Sequence, residues 1–171
     1  MYKRTATFAH IFIIPCLNIL FSARKLVQEQ GDIFNRYAIE RIADHNEALF
    51  KPTNTPNALR IEQISATWAD QAESVAQNLK NGNTPIVISA DHASAGGTVA
   101  GIKMAHPDKR LGVVWVDAHA DLHSPFTTPS GNVHGMPLAA SLGFDNKDKQ
   151  RNEPNSETVG HWEKMKNLGG V

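Results

Sequence analysis

The sequence of 171 residues has little cysteine, no excess of either charge and no apolar run long enough to cross a membrane. The single cysteine, Cys16, excludes an intrachain disulfide and a zinc site built from several cysteines. Lys and Arg total 17, as do Asp and Glu, and this balance argues against a nucleic-acid or polybasic membrane-surface protein. We therefore expect no nucleic-acid or membrane partner and a cytoplasmic location, which suits a chain with one thiol.

An apolar stretch near the amino terminus, residues 8–21, follows two basic residues and superficially resembles an export signal. It is interrupted by His10, Pro15 and Asn18, and no clear cleavage site follows it. The preferred interpretation is a buried strand over Ala9 to Ile14 that ends at Pro15, with an export signal as the alternative.

The length and the 41% hydrophobic content predict one folded domain over residues 1–171. Leu26 to Leu49 has a broken amphipathic pattern, and Lys51 to Asn57 is predicted to be a loop. Ala58 to Lys80 carries apolar residues at helical spacing, and Gly82 is suited to the left-handed position that ends a helix.

The middle of the chain has the pattern of a strand–helix–strand unit. Pro85 to Ser89 and Leu111 to Val116 are apolar runs without alternation, as in strands buried on both faces of a parallel sheet. Ser94 to His106 is the helix between them. Functional groups of such sheets gather beyond the carboxyl ends of the strands, where Asp91-His92 and residues 117–121 lie.

Asp117, His119 and Asp121 occupy alternate positions, so an extended backbone would place them on one face. Grouping two carboxylates with an imidazole is costly without a cation, and these ligands suit Mn²⁺, Fe²⁺, Co²⁺ or Zn²⁺. His92, at the end of the adjacent predicted strand, can converge on the same point. The alternative is a solvated Asp-rich loop whose side chains cap helices.

The following segment, Leu122 to Ala139, is rich in hydroxyl and amide side chains. Beside a metal, such a loop could bind a polar substrate such as an amino-acid carboxylate, although a surface loop with self-contained turns has the same composition. His134 is suited to general acid–base catalysis, since imidazole titrates near neutrality. The alternative is that His134 is simply exposed.

Asp117 to Gly135, DAHADLHSPFTTPSGNVHG, closely resembles the signature of the arginase branch of the ureohydrolase family, and Ser89 to His92 resembles the family's Gly-Gly-Asp-His segment. The resemblance implies a three-layer α/β/α fold, in which helices flank a parallel sheet. It also implies a centre of two Mn²⁺ ions, and hydrolysis of the guanidino group of L-arginine to L-ornithine and urea by a metal-bridging hydroxide. A metal pair lowers the pKa of the bridging water, which makes hydroxide available at neutral pH.

The resemblance also implies roles for individual residues. His92, Asp117 and Asp121 correspond to ligands of one Mn²⁺, while Asp117 bridges to a second ion that His119 also binds. His134 corresponds to a proton-shuttling histidine and, with Asp121, is a candidate catalytic residue. Thr128, Ser130 and Asn132 correspond to groups that hold the substrate α-carboxylate, and His123 stands where arginases usually carry an Asn that also contacts it.

Three departures qualify the resemblance. Residues 1–57 match the family poorly, and the family's two glycines before Asp91 are Ser89 and Ala90 here. Family members continue beyond the position of Val171 to an Asp-x-Asp motif that completes both metal sites. Residues 144–171 form a polar tail, expected to be loop-like, without that motif. We therefore expect an incomplete version of the fold, with weak binding of the second Mn²⁺ and little activity from this chain alone.

Two alternatives remain open at this point. The chain could be an agmatinase-like or formimidoylglutamase-like ureohydrolase that uses the same metals on another substrate. It could also be a catalytically inactive remnant or an interaction module that pairs its open sheet edge with another chain. The expected partner is a small guanidino compound such as arginine, and a homo-oligomer is compatible with the sequence.

Overall fold

The computed structural model describes residues 9–14, 37–43, 45, 50–89 and 91–169. Three parallel strands, β1 (Ala9–Ile14), β2 (Ala38–Arg41) and β3 (Thr84–Ser89), form a sheet in the order β2-β1-β3. The helices are α1 (Ile61–Lys80), α2 (Ala95–Ala105), α3 (Pro137–Ser141) and α4 (Ser156–Gly169), with short 3-10 turns at His92–Ser94, Val133–Gly135 and Lys147–Lys149.

Four of these elements confirm the sequence predictions: β1, β3, α1 and α2. Helix α1 ends as expected, because Gly82 has a φ of 80° and its N–H donates to Leu79 O at 3.0 Å. None of the helices in the described part of the chain is long and apolar enough to span a bilayer.

The main core lies between the helices and is centred on Trp68 of α1, which is fully buried. Helix α2 packs closely on α1 because it carries glycine at the contact: a Cβ on Gly96 would lie 1.9 Å from Trp68 Cη2. The Trp68 indole N–H donates to Ala93 O at 2.6 Å. This contact ties the core to the turn that carries His92.

The strand predicted at Leu111 to Val116 is not formed. Strand β3 pairs with β1, and no pairing between β3 and residues 111–116 is present in the described part of the chain. Val114 and Val116 are 90% and 91% exposed, so this apolar run is not buried. The prediction was wrong because β-branched residues favour a strand only where neighbouring strands cover it.

Two further predictions are corrected. Ala38–Arg41 is a strand rather than part of a broken helix, and residues 26–36, 44 and 46–49 lie outside the described residues. The tail is not loop-like, because Ser156–Gly169 forms α4 and buries Trp162 and Met165 in the main core.

Helix α4 is held in place by Asp145, whose carboxylate accepts hydrogen bonds from Trp162 Nε1 at 2.8 Å and Lys166 Nζ at 2.7 Å. Burial raises the pKa of Asp145, but the hydrogen bonds from Lys166 and Trp162, together with the charges of Lys166 and Lys147, outweigh this effect and leave the pKa below the ordinary 3.8. Burial lowers the pKa of Lys166, but the hydrogen bonds to Asp145 and Glu163 and the charges of these two residues outweigh burial and raise the pKa of Lys166 overall.

We expect Asp145→Asn to destabilise the protein by about 2 kcal/mol near neutral pH, since a hydrogen bond to a charged group is lost. A lowered carboxyl pKa gives stability that is complete above the unfolded value and is lost as pH falls through the folded value. The difference between wild type and variant should therefore shrink as the pH drops below 3.8. Urea unfolding of both proteins at a series of pH values measures this difference in the free energy of unfolding.

The matched control is Asp108→Asn, because Asp108 is an exposed aspartate outside this network. It should change the free energy of unfolding by less than about 0.5 kcal/mol at every pH. A loss in Asp145→Asn that stays constant from neutral to strongly acidic pH would show that the carboxylate charge does not anchor α4.

Candidate metal centre and adjoining pocket

His92 is placed by the turn that follows β3. The carboxylate of Asp91 accepts the backbone N–H of Ala93 at 2.7 Å and so caps the short turn His92–Ser94. The His92 ring meets the Trp115 ring edge-on, with centroids 5.0 Å apart. These contacts aim the imidazole at the segment that carries Asp117 and Asp121.

Three of the predicted metal ligands come together. His92, Asp117 and Asp121 each offer one ligand atom, and these atoms all lie within 4.8 Å of one another. His92 Nε2 lies 2.8 Å from Asp121 Oδ2 and 3.8 Å from Asp117 Oδ2. We call these three residues the metal group. His92 thus converges on the two carboxylates as predicted, although residues 111–116, which precede them, form no strand paired with β3.

The metal group fits a divalent cation. Asp121 Oδ2 is buried and receives no hydrogen bond from any described residue, despite the 2.8 Å approach of His92 Nε2. A buried carboxylate oxygen without a donor is costly, and a cation between imidazole and carboxylates removes that cost. An imidazole with two carboxylates is a ligand set suited to Mn²⁺, Fe²⁺ or Zn²⁺.

His119 does not join the metal group. Its side chain is 83% exposed, and its Nδ1 lies 3.5 Å from Asp117 Oδ1. The expectation that Asp117, His119 and Asp121 share one face of an extended backbone is wrong, because the chain bends at residues 117–119 and Asp121 has a left-handed φ of 50°. Asp117 instead accepts the backbone N–H of His119 at 2.8 Å, which turns the chain at this point.

The charge state of Asp117 follows from the same turn. The hydrogen bond from the His119 N–H holds the pKa of Asp117 below its ordinary value, and the nearby imidazoles of His92 and His119 act in the same direction. The carboxylate is therefore ionised at neutral pH, as a metal ligand must be.

A pocket of about 770 Å³ adjoins the metal group through Asp121 and collects the other predicted site residues. Its lining includes His119, His123, Thr128, Ser130, Asn132 and His134. Thr128 is buried and its hydroxyl accepts the Gly131 N–H at 3.0 Å, which shapes the turn between Ser130 and Asn132. His123 Nδ1 lies 3.2 Å from Thr127 Oγ1.

Three further residues line this pocket that the sequence analysis missed: Asn146, Lys149 and Arg151. Their loop folds back on the site because the Arg151 N–H donates to Phe126 O at 2.8 Å and Asn146 Nδ2 donates to Leu122 O at 2.7 Å. The pocket therefore has the Asp121 carboxylate at one end and the cations of Lys149 and Arg151 in its wall. The only sequence signal was the basic cluster Lys147 to Arg151, in a segment predicted to be a tail.

This arrangement defines an α/β protein with a candidate metal centre beyond the end of a parallel strand. The model of the arginase family matches residues 20–159, which is most of the chain. The chain belongs to the arginase family. As its structural neighbours are arginases, its fold is an incomplete version of their three-layer α/β/α architecture.

Individual relatives agree with the family match. The chain is 48% identical to human arginase-1 over 119 residues, which is 69% of this chain and 34% of the human one. It is also 52% identical to Bacillus caldovelox arginase over 73 residues. These residues make up 43% of this chain and 24% of that protein.

The solved structures extend the match. Bacillus caldovelox arginase superposes with a TM-score of 0.71 at 27% identity, over 96% of this chain and 53% of that one. Entamoeba histolytica arginase in complex with L-ornithine superposes with a TM-score of 0.66 at 25% identity. This match covers 84% of this chain and 53% of that one. The chain thus spans about half the length of these structures.

Proposed function

We propose that residues 91–151 form the metal-binding and substrate-binding part of an arginase-type amidino hydrolase, an enzyme that acts on linear C–N bonds and converts L-arginine to L-ornithine and urea. The observation that carries the proposal is the position of the metal group at one end of the pocket, with hydroxyl, amide and cationic side chains along its wall. L-Arginine has the matching polarity, with a guanidino group at one end and a carboxylate at the other.

His92, Asp117 and Asp121 would hold one Mn²⁺, and His119 with Asp117 would contribute to a second. When bound, Mn²⁺ supplies Lewis acidity and lowers the pKa of water. Four pocket side chains orient the substrate through its α-carboxylate: Thr128, Ser130, Asn132 and His123. Arg151 adds a cation beside them. His134 is exposed in the pocket and can move a proton through its imidazole nitrogens. The cytoplasm remains the expected location.

The test is selective ligand binding in the presence of Mn²⁺, measured by isothermal titration calorimetry. We expect L-arginine to bind more tightly than agmatine, which has no α-carboxylate. Arg151→Ala should weaken arginine binding about fivefold, roughly 1 kcal/mol for an exposed charge pair, and leave agmatine binding unchanged.

The matched control is Arg110→Ala, which removes an exposed arginine that does not line the pocket and should change neither affinity. Equal binding of arginine and agmatine by the wild type would contradict the proposed carboxylate site. Release of urea from agmatine but not from arginine would assign the chain to the agmatinase-like alternative. Formimidoylglutamate is tested beside arginine and agmatine, because its second carboxylate could pair with Lys149 or Arg151.

A further inference from the structure

Two loops pack against each other beside the pocket. Residues 122–132, which we call the substrate loop, carry the side chains proposed to hold the α-carboxylate, yet they form neither helix nor strand. The backbone groups of such a loop lack regular partners, so hydrogen bonds from elsewhere in the chain must fix its shape. Residues 145–152, which we call the support loop, supply several of these hydrogen bonds.

Asn152 makes the most contacts of the support loop. Its side-chain amide donates to Thr128 O at 2.7 Å and to Pro125 O at 3.1 Å, and its backbone N–H donates to Phe126 O at 3.0 Å. The three acceptor residues are all buried. Both hydrogens of the amide nitrogen are used on carbonyl oxygens, so a side chain without two such donors cannot make these contacts.

Thr128 connects Asn152 to the turn that faces the pocket. While the Thr128 carbonyl accepts from Asn152, the Thr128 hydroxyl accepts the N–H of Gly131 at 3.0 Å and that of Ser130 at 3.4 Å. Ser130 and Asn132 line the pocket, and Asn152 does not. A shift of Thr128 would therefore move the groups that face the substrate.

The support loop is fixed at its other end by the core. Asp145 accepts the indole N–H of the buried Trp162 in α4, and its backbone carbonyl accepts the hydroxyl of Ser124 in the substrate loop. Helix α4 begins at Ser156, four residues after Asn152. A residue can position a site only when its own place is fixed, and both ends of the support loop meet this condition.

The geometry points to Asn152 as a positioning residue for recognition of the substrate α-carboxylate. It fixes Thr128 and, through Thr128, the hydroxyl of Ser130 and the amide of Asn132. This inference rests on the proposed function and adds to it a residue that lies outside the pocket. A displacement of about 1 Å from a distant substitution can cost about 100-fold, so Asn152 affects the ligand without touching it.

Asn152→Leu tests the inference, because leucine keeps the branched shape, removes both donors and adds no charge. In the presence of Mn²⁺, isothermal titration calorimetry should show L-arginine bound at least about tenfold more weakly than by the wild type. Agmatine, which has no α-carboxylate, should bind as it does to the wild type. Mn²⁺ affinity, measured by electron paramagnetic resonance, should not change, since Asn152 is outside the metal group.

The matched control is Asn155→Leu. The Asn155 amide also donates to a loop carbonyl, that of Asn54 at 2.7 Å, but this loop is not the substrate loop. Its Oδ1 accepts the Thr158 N–H at 2.9 Å and caps α4, so its loss should lower the melting temperature by about 3 °C. The preference for arginine over agmatine should stay at the wild-type value, which separates lost stability from lost positioning.

Three results would overturn the inference. One is wild-type arginine affinity in Asn152→Leu, and another is a parallel loss of arginine, agmatine and Mn²⁺ affinity, which indicates a general structural role. The third comes from adding Asn152→Leu to Arg151→Ala: disappearance of the tenfold loss would mean that Asn152 acts through Arg151 rather than Thr128. Equal binding of arginine and agmatine by the wild type is a separate failure, because it overturns the proposed function, and this inference with it, before any variant is measured.

Discussion

Replacing Gly131 with alanine is expected to lower the free energy of unfolding by about 3 kcal/mol and to weaken arginine binding. Gly131 has a φ of 74°, which costs about 1–2 kcal/mol for a residue with a Cβ. That Cβ would also lie 2.0 Å from the carbonyl oxygen of Pro56, and such a clash adds about 1–3 kcal/mol. The Pro56 oxygen belongs to the backbone, so the loop that carries Ser130 and Asn132 has to move. Urea unfolding and calorimetry with arginine measure the two effects.

Gly143 provides a control with the same backbone conformation and no crowding. Its φ is 69°, and a Cβ there would meet no atom within 4 Å. Gly143→Ala should therefore cost only about 1 kcal/mol and leave arginine binding unchanged. Equal losses in the two variants would mean that the left-handed conformation alone, rather than the approach to Pro56, requires glycine at position 131.

The sequence predicted the elements whose signals are local. Helix α1 has a full amphipathic stripe and a glycine stop, and β1 ends at Ile14, directly before Pro15 in the sequence. Residues 111–116 show the limit of such signals, because an apolar run indicates suitability for burial but not what covers it. Helix α4 was missed because its sequence is mostly polar, although the helix packs against the core. Its core contacts reduce to Val159, Trp162, Met165 and Leu168, a sparse stripe at every third position among charged residues.

The site was only partly predictable from the rule for parallel sheets. His92 follows a strand, as the rule requires, whereas Asp117 and Asp121 follow residues 111–116, which form no strand, and the three side chains still come together. The exposure of His119 was not predictable, because it depends on the bend at residues 117–119, where the His119 N–H donates to the Asp117 carboxylate. Arg151 reaches the pocket through its backbone hydrogen bond to Phe126, a contact across the chain that no local pattern encodes.

The metal group gives a second prediction of large effect: Asp121→Asn should weaken Mn²⁺ binding by at least about 100-fold. Loss of a residue that only supports a ligand costs about 10–100-fold, so loss of a buried ligand with its charge belongs at or beyond the upper end. The fold should survive, since Asn has the same shape and tolerates the left-handed φ of 50° found at this position. The Asp121 carbonyl also keeps its hydrogen bond from the Ala139 N–H at 3.1 Å. Titration of the free Mn²⁺ signal by electron paramagnetic resonance measures the affinity.

Two variants separate the metal group from its surroundings. Asp148→Asn removes an aspartate whose side chain is 72% exposed and lies outside the group, so it should leave Mn²⁺ affinity unchanged. His119→Ala should weaken the tightest Mn²⁺ by less than about threefold, because its ring is 83% exposed and outside the group. Wild-type affinity in Asp121→Asn would show that the buried carboxylate does not bind the ion. A loss in His119→Ala as large as in Asp121→Asn would show that the exposed imidazole turns inward when the ion binds.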